Sequence, residues 1–337
     1  MGLLCFIGGW VLGLASKNSK HEIIFYFMLP KKYQKYLIGS AALVLITIFS
    51  LFFSWWRVCP SGPSSKNSPK ITFYDVGQGD SIFIQTAEGS QILIDGGPDD
   101  SIVNLLSRDL PFYDRYLDLV ILTHPHLDHL AGLIEVLQRY QVGLVISNPF
   151  SYSSQAYRQW LSLISGDQVV HAVYAGDKFC LDEVCFIALW PDPSVGGSLS
   201  AEAEARMGID SFDPCAVLDE GDCLIWTDEN TNNGSLVLLA AYSNKKLLLT
   251  GDAETEVWDK LLAENKLEDI DFLKVPHHGS SNGVTLAALE VLKPEFSVIS
   301  VGKDNRYGLP SPQVLGWSNL YGTVWQTSDQ GSLYADF

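Results

Sequence analysis

The stretch "LTHPHLDHLAGL" at residues 122–133 packs three histidines and one aspartate into six positions. It follows the apolar run "LDLVILT" (117–123), which is typical of a buried strand, and continues into "HLAGLIEVLQRY" (129–140), which has helical spacing. Four potential metal ligands therefore stand where a predicted strand turns into a predicted helix. The alternative interpretation is a polar loop at the mouth of that helix.

The spacing of the four side chains favours a metal site with two centres. Alternate residues of an extended chain face the same side, so His124 and His126 can bind one ion. Asp128 and His129 lie where the chain turns into the helix, and they can bind a second ion a few ångströms away. Imidazole and carboxylate ligands suit zinc, manganese or iron rather than calcium.

Two further polar clusters end apolar strands downstream. The run "LLLTGD" places Asp252 at one strand terminus, and "FLKVPHHGS" places His277 and His278 at another. A carboxylate between two ions is the usual bridge in a dinuclear hydrolase. Adjacent histidines at the end of a buried strand have little packing rationale. Together with the first cluster, they predict a metal-dependent hydrolytic site.

The beginning of the chain has a different pattern, which predicts a membrane segment over residues 1–58. Residues 37–56 carry no charge and are long enough to span a bilayer core of about 30 Å as a helix. Residues 1–16 are also uncharged but short, so they are expected to form a short or truncated first span. The Pro-, Ser- and Gly-containing residues 59–70 are typical of a flexible linker.

Charge orients this segment and limits what the rest of the chain can bind. Because "KKYQK" (31–35) precedes the long apolar run, the positive-inside rule places residues 57–337 outside the cytoplasmic membrane. Residues 71–337 hold 14 basic and 38 acidic residues, a net charge of −24. This balance excludes a large basic face of the kind that holds a nucleic-acid backbone.

Residues 71–337 alternate between short strand and helix patterns. Three strand-like runs separated by Gly-rich turns fill residues 71–97, and strands precede helices in each half of the region. This order predicts an α/β fold with two mixed sheets between outer helices. The Gly-, Ser- and acid-rich residues 191–233 are predicted to form an insertion or a long loop.

The six cysteines lack the CxxC spacing of a structural zinc site. Cys180 and Cys185 flank "LDEV", which is typical of a tight hairpin with the two sulfur atoms on opposed strand positions. Cys215 and Cys223 bracket another short stretch. Either pair can form a disulfide outside the cytoplasm.

The motifs "HPHLDHLAGL", "TGD" and "VPHHGS" resemble the metallo-β-lactamase superfamily. With "DVGQGDS", "ILIDGG", "NNGSLVL" and "GTVWQTSDQGSLY", they are similar to the ComEC competence proteins within it. The resemblance covers residues 71–337 and implies a metallo-β-lactamase-like αββα sandwich. ComEC proteins are DNA-uptake membrane proteins with a long multi-span channel region. This chain therefore resembles a reduced or split form of their C-terminal portion, preceded by one or two transmembrane helices.

The resemblance also implies the cofactors and the site. Two divalent ions, zinc or manganese, would share one aspartate, with His278 favoured over His277 as a ligand; the ligands are His124, His126, Asp128, His129, Asp252 and His278. Asp128 and His277 are the candidate catalytic residues, and Asp75 is expected to orient a metal-binding histidine. The remaining candidates for supporting the ligands or contacting substrate are Asp75, Asp80, Asn232, Asn233, Ser235 and Arg306.

Two departures from the superfamily pattern bear on function. Members often supply a further histidine from the middle of the chain, but His171 is interpreted here as structural, and an Asn/Ser element stands in the ligand's place. A loosely held first ion would favour manganese. In addition, Leu309 occupies a position where ComEC-like proteins usually have histidine, for which Arg306, Tyr307 or Ser311 could compensate.

Three functions follow as hypotheses. The first is a membrane-anchored nuclease that hydrolyses phosphodiesters with a water activated between the ions, and degrades the strand that is not imported during DNA uptake. The second is a hydrolase of small or cell-surface phosphoesters, which the acidic charge and Leu309 favour slightly. The third is a catalytically weak subunit of a separate multi-span channel protein.

Overall fold

The computed structural model describes residues 4–7, 10–13, 26–28, 47, 68–150, 152–164, 169–192 and 231–337. The chain divides into two compact units, Met1–Ser65 and Lys66–Phe337. In the first unit, three short antiparallel strands form a sheet: β1 (Leu4–Ile7), β2 (Trp10–Gly13) and β3 (Tyr26–Met28).

The structure describes only part of the N-terminal region for which a membrane segment and a linker were expected. Where a short first span was expected at residues 1–16, the described residues form β1 and β2 instead of a helix. The expected span at 37–56, apart from Thr47, and most of the linker at 59–70 lie outside the described residues. Among the helices that the structure describes, none has the length and apolar character needed to cross a membrane.

The second unit begins with a sheet whose first strands form a meander. Neighbouring strands β4, β5 and β6 are antiparallel, and β6 to β9 are parallel because helices connect them on one face. The elements are β4 (Lys70–Phe73), β5 (Ile82–Gln85), β6 (Gln91–Ile94), α1 (Ser101–Asp109), β7 (Tyr116–Leu122), α2 (Leu127–Leu137), β8 (Gln141–Ser147), α3 (Gln155–Ile164) and β9 (Val169–Ala172).

The second sheet repeats this plan, with an antiparallel meander from β10 to β13 and parallel strands from β13 to β16. Its elements are β10 (Lys178–Leu181), β11 (Val184–Trp190), β12 (Val237–Tyr242), β13 (Lys245–Leu249), α4 (Thr255–Ala263), β14 (Phe272–Lys274), α5 (Leu286–Leu292), β15 (Phe296–Ile299), α6 (Pro312–Ser318) and β16 (Thr323–Gln326). After the short helix α7 (Thr327–Gln330), β17 (Leu333–Asp336) returns to the first sheet and pairs with β4.

Three apolar clusters show how these elements are layered. The inner faces of both sheets pack against each other through residues such as Ile121 and Phe186. The outer face of the first sheet is covered by α1, α2 and α3, and that of the second by α4, α5 and α6. The predicted αββα sandwich is therefore present. Of the predicted insertion at 191–233, residues 193–230 lie outside the described residues.

The cysteine pattern gives one hairpin its cross-link. Cys180 of β10 lies directly opposite Cys185 of β11, and the two form a disulfide. The hairpin turn is tied to the first sheet, because the Thr86 hydroxyl donates to Asp182 Oδ2 at 2.6 Å. Cys215 and Cys223 lie outside the described residues.

The parallel strands determine where functional side chains gather. The carboxyl ends of β6, β7 and β8 lie at one edge of the first sheet, and those of β13, β14 and β15 at one edge of the second. Open α/β sheets bind ligands at such edges. The quoted histidine and aspartate motifs follow β7, β13 and β14, which places them at these two edges.

Candidate metal centre

The first predicted ligand set is brought together at the end of β7. Potential ligand atoms of His124, His126 and Asp252 all lie within 4.8 Å of one another. His124 is fully buried, and its Nε2 is 3.8 Å from Asp252 Oδ2. His126 is partly exposed and precedes the first residue of α2. Both histidines lie between β7 and α2, and their ring centroids are 4.8 Å apart.

The second predicted set lies beside the first. Asp128, His129, Asp252 and His278 also have ligand atoms within 4.8 Å of one another. His278 Nε2 is 3.3 Å from Asp128 Oδ2 and 3.5 Å from Asp252 Oδ2, and His129 Nε2 is 3.4 Å from the same Asp252 atom. Asp252 therefore belongs to both sets, as a bridging carboxylate would.

The donor atoms fit a metal ion better than any hydrogen-bond scheme within the site. Nε2 of His124, His129 and His278 is buried without a hydrogen-bond partner among the described residues. Buried polar atoms are normally hydrogen-bonded, because an unsatisfied one costs about 1–3 kcal/mol. Three such nitrogen atoms converging on one carboxylate oxygen match the imidazole and carboxylate ligands of a transition-metal ion.

Asp95 orients histidines of both sets, and the sequence analysis did not identify it. This buried residue follows β6, and its Oδ2 lies 2.8 Å from His129 Nδ1. Because a carboxylate can only accept, Nδ1 carries the proton and Nε2 is left for a metal. Asp95 Oδ2 also accepts from the Thr123 hydroxyl, whose oxygen lies 3.1 Å from His124 Nδ1. The signal was the aspartate that ends the apolar run "ILID".

The "PHHG" segment after β14 holds its two histidines in different directions. Both have positive φ, 50° for His277 and 51° for His278, which is uncommon for residues other than glycine. His278 Nδ1 donates to the Ser300 carbonyl at 2.8 Å, so its Nε2 faces the second set. His277 instead points to Glu254, with 3.3 Å between Nδ1 and Oε1, and belongs to neither ligand set.

Asp75 does not take the histidine-orienting role expected of it. Its side chain is exposed and accepts a hydrogen bond from the Gly77 amide at 3.2 Å, because the chain turns there. The second aspartate of "DVGQGD", Asp80, is the one that points inward. Its carboxylate lies 3.5 Å from His278 Nδ1 and 3.7 Å from His129 Nδ1.

The Asn/Ser element braces the loop that carries Asp252. Ser235 Oγ accepts from the Asp252 amide at 3.0 Å, and Asn233 Oδ1 accepts from the Glu254 amide at 3.1 Å. Asn232 Nδ2 donates to Glu254 Oε1 at 2.8 Å. These three residues therefore support the loop that carries Asp252 and Glu254.

Lys274 is a second site residue that the sequence analysis missed. It is fully buried at the end of β14 and pairs with Asp80 Oδ2. Its Nζ also donates to the Gly251 carbonyl at 2.9 Å. The available signal was a lysine within the otherwise apolar run "FLKV", because a charged residue in a buried strand needs a partner.

The carboxylates and histidines of the centre shift one another's pKa values. Burial disfavours the protonated form of His129 and His278, but the attraction of the Asp252 carboxylate is stronger. It raises the pKa of His129 well above its usual range and the pKa of His278 to about 10. Against the same burial, these histidines hold the pKa of Asp252 well below its usual range. Burial lowers the pKa of His124 and His126. Protons and metal ions therefore compete for His129 and His278.

Arg306 lies outside the ligand sets, on the loop after β15. The loop is fixed to the centre because the Ser311 amide donates to the carbonyl of Gly279, the residue after His278. Asn305 holds it closed through hydrogen bonds to Leu309 in both directions, at 2.8 and 2.9 Å. The exposed Arg306 guanidinium lies 5.4 Å from the centroid of the Tyr307 ring, which is 61% exposed.

A comparison with known protein families agrees with the αββα fold described above. The description Metallo-beta-lactamase superfamily matches residues 74–179. The chain carries a domain of this superfamily, whose members are typically metal-dependent hydrolases. Among solved structures, it is similar to the metallo-beta-lactamase fold protein YhfI from Bacillus subtilis, with a TM-score of 0.49 at 11% identity, over 80% of this chain and 99% of that one. A long form RNase Z from yeast gives 0.42 at 14% identity, over 82% and 43% of the two chains.

The chain is also similar in sequence to several longer proteins. The chain is 24% identical over 311 residues to ComE operon protein 3 of Bacillus subtilis (strain 168), covering 87% of this chain and 35% of that protein. It is 25% identical to Recombination protein 2 of Haemophilus influenzae, over 81% and 29% of the two chains, and 24% identical to Competence protein ComA of Neisseria gonorrhoeae, over 74% and 29%. These relatives support a likeness to the ComEC-type competence family. The chain spans about a third of the length of these relatives.

Proposed function

We propose that residues 66–337 form a dinuclear, metal-dependent phosphodiesterase that acts on DNA during DNA uptake. The observation that carries this proposal is the convergence of two ligand sets on Asp252 Oδ2. The likeness to competence proteins suggests a role in DNA uptake, and DNA is the substrate that this process offers. A bound metal pair would activate water and stabilise negative charge on a phosphoryl group.

Residues in and around the two ligand sets have different positions relative to this reaction. Asp95 keeps the proton of His129 on Nδ1, and through the Thr123 hydroxyl it does the same for His124. The Nε2 atom of each ring is therefore free to bind a metal ion. His277 is partly exposed and adjacent to the second set, so it is placed to contact substrate phosphate, with Glu254 orienting its ring. Asp128, which is also partly exposed, lies on the solvent side of the second set.

DNA would be contacted close to the metal centre and not over a wide surface, because the domain is acidic. The Arg306–Tyr307 pair fits this role, since a guanidinium can pair with a phosphate and an exposed aromatic ring can stack on a base. The proposal includes a membrane anchor at 37–56, with the domain on the extracytoplasmic side of the cell membrane. It also includes a separate multi-span channel protein as partner.

The test uses the full chain loaded with manganese or, separately, zinc, and offers labelled single-stranded DNA and bis-p-nitrophenyl phosphate. We expect DNA cleavage that is lost in Asp128→Ala and kept in Asp259→Ala, a change at an exposed acidic residue of α4. Cleavage of the small ester alone would overturn the nuclease assignment and favour the small-phosphoester hydrolase that Leu309 suggested. Metal binding without either activity would support the channel-subunit hypothesis.

A further inference from the structure

Lys274 has a position that the proposed activity does not by itself explain. It is the last residue of β14, and its relative exposure is 0%. Alternate residues of a strand face the same side, so Lys274 shares the inward direction of Phe272, which packs between the two sheets. Burying an ammonium group costs several kcal/mol unless it is well paired, so its partners must account for it.

Oxygen atoms from three residues surround the ammonium group. Nζ donates to the Gly251 carbonyl at 2.9 Å, pairs with Asp80 Oδ2, and lies 3.6 Å from Asp252 Oδ1. Gly251 and Asp252 are consecutive, so Lys274 restrains both the backbone and the carboxylate of the loop after β13. Gly251 itself has φ of 49°, and a Cβ there would lie 2.9 Å from Ser235 Cβ, so this loop has little room to shift.

The two oxygens of Asp252 have different neighbours. Oδ1 faces Lys274, whereas Oδ2 lies 3.4 to 3.8 Å from Nε2 of His129, His278 and His124. A carboxylate free to rotate can chelate one ion with both oxygens, or give one oxygen to each of two ions. A cation at Oδ1 disfavours both arrangements, because like charges would then share that oxygen.

We propose that Lys274 is a positioning residue that makes Asp252 bridge the two ions through Oδ2 alone. One shared oxygen holds two ions closer together than a bridge through both oxygens, and it couples their binding. This inference rests on the proposed metal centre, but it does not depend on DNA being the substrate.

The same pairing accounts for a third cluster of potential metal ligands. Ligand atoms of Asp80, Asp95 and His129 also lie within 4.8 Å of one another. However, Asp80 Oδ2 is engaged by Lys274, and His129 Nδ1 is engaged by Asp95 at 2.8 Å. We therefore assign Asp80 to holding Lys274 in place, and not to a third ion.

The test measures how manganese ions bind and how they interact, without relying on catalysis. The variants are Lys274→Gln, which keeps a donor but removes the charge, and the double variant Asp80→Asn/Lys274→Gln, which replaces the buried ion pair with two amides. Lys246→Gln is the matched control, because Lys246 lies on the neighbouring β13 and pairs with Glu268 at the surface. Titration calorimetry gives the two affinities, and electron paramagnetic resonance reports the magnetic coupling between the ions.

We expect wild type and Lys246→Gln to bind two coupled Mn²⁺ ions. In both Lys274 variants, the second ion should bind about 10- to 100-fold more weakly, the usual effect of losing a residue that orients a ligand, and the coupling should weaken. Unchanged affinity and coupling in the folded variants would overturn the inference. If Lys274→Gln does not fold, the double variant decides, since it leaves no buried charge unpaired. Wild-type protein that binds fewer than two ions would instead refute the metal centre itself.

Discussion

Replacing Asp95 with asparagine should weaken metal binding by both ligand sets. Asp95 Oδ1 accepts from the Thr123 amide at 2.8 Å, and Oδ2 accepts from the Thr123 hydroxyl at 2.7 Å and from His129 Nδ1 at 2.8 Å. In Asp95→Asn, one of these oxygens becomes an NH₂ group. The substitution keeps the shape of the side chain but reverses one acceptor into a donor.

Both orientations of the new amide are unfavourable. If its NH₂ group faces His129 Nδ1, the ring proton must move to Nε2, the atom that the metal needs. If the amide is flipped, its NH₂ group faces the backbone N–H of Thr123. Both groups are donors, so this buried contact forms no hydrogen bond. An unsatisfied buried donor costs about 1–3 kcal/mol, which corresponds to a loss of roughly 5- to 150-fold in metal affinity.

The assay is competition for Mn²⁺ or Zn²⁺ against a chelator of known affinity, with thermal unfolding as a check of the fold. Asp99→Asn is the matched control, because Asp99 lies four residues further on, is exposed, and accepts from the Ser101 amide. The control should bind metal like the wild type. Metal affinity of Asp95→Asn within twofold of wild type would refute the claim that Asp95 selects the histidine tautomer.

Three further outcomes follow from the site. Ser235→Ala removes the acceptor of the Asp252 amide and should lower the free energy of unfolding by about 1–3 kcal/mol, measured by urea denaturation. The metal-free chain should lose thermal stability as pH rises from about 6.5 towards 10. The folded state raises the pKa of His129 and His278, so these rings stabilise it only while they stay protonated. Scanning calorimetry in the presence of a chelator measures this loss. Arg306→Ala should raise KM for single-stranded DNA severalfold and leave bis-p-nitrophenyl phosphate hydrolysis unchanged, since a phosphate-pairing side chain on the loop serves only the longer substrate.

The two ligand sets could be predicted from the sequence because they depend on local patterns. Histidines and aspartates that directly follow apolar strands reach the edge of a sheet once parallel pairing is established, so His124, Asp252 and His278 could be placed from motif order alone. The paired strand and helix signals likewise predicted the αββα layers. These inferences need strand direction and sequence position, and both can be read along the chain.

The supporting residues depend on contacts that the sequence does not show. Asp75 and Asp80 stand five positions apart in one motif, and the turn decides which of them enters the site. Gly79 packs so closely on Asp128 that a Cβ would lie 2.2 Å from its carbonyl oxygen, and the Asp80 amide donates to that same oxygen at 3.1 Å. Lys274 acquires its role from Asp80, which belongs to the other sheet's meander, so only the packed sheets reveal the pair.

The most direct test of the shared metal centre is the number of metal ions bound per chain in wild type, Asp128→Ala and Asp252→Ala. Elemental analysis after dialysis measures this number. Asp128 belongs to one ligand set and Asp252 to both. We expect two ions in the wild type, about one in Asp128→Ala, and almost none in Asp252→Ala, because a bridging ligand serves both ions. A folded Asp252→Ala protein that retains as much metal as Asp128→Ala would contradict the account.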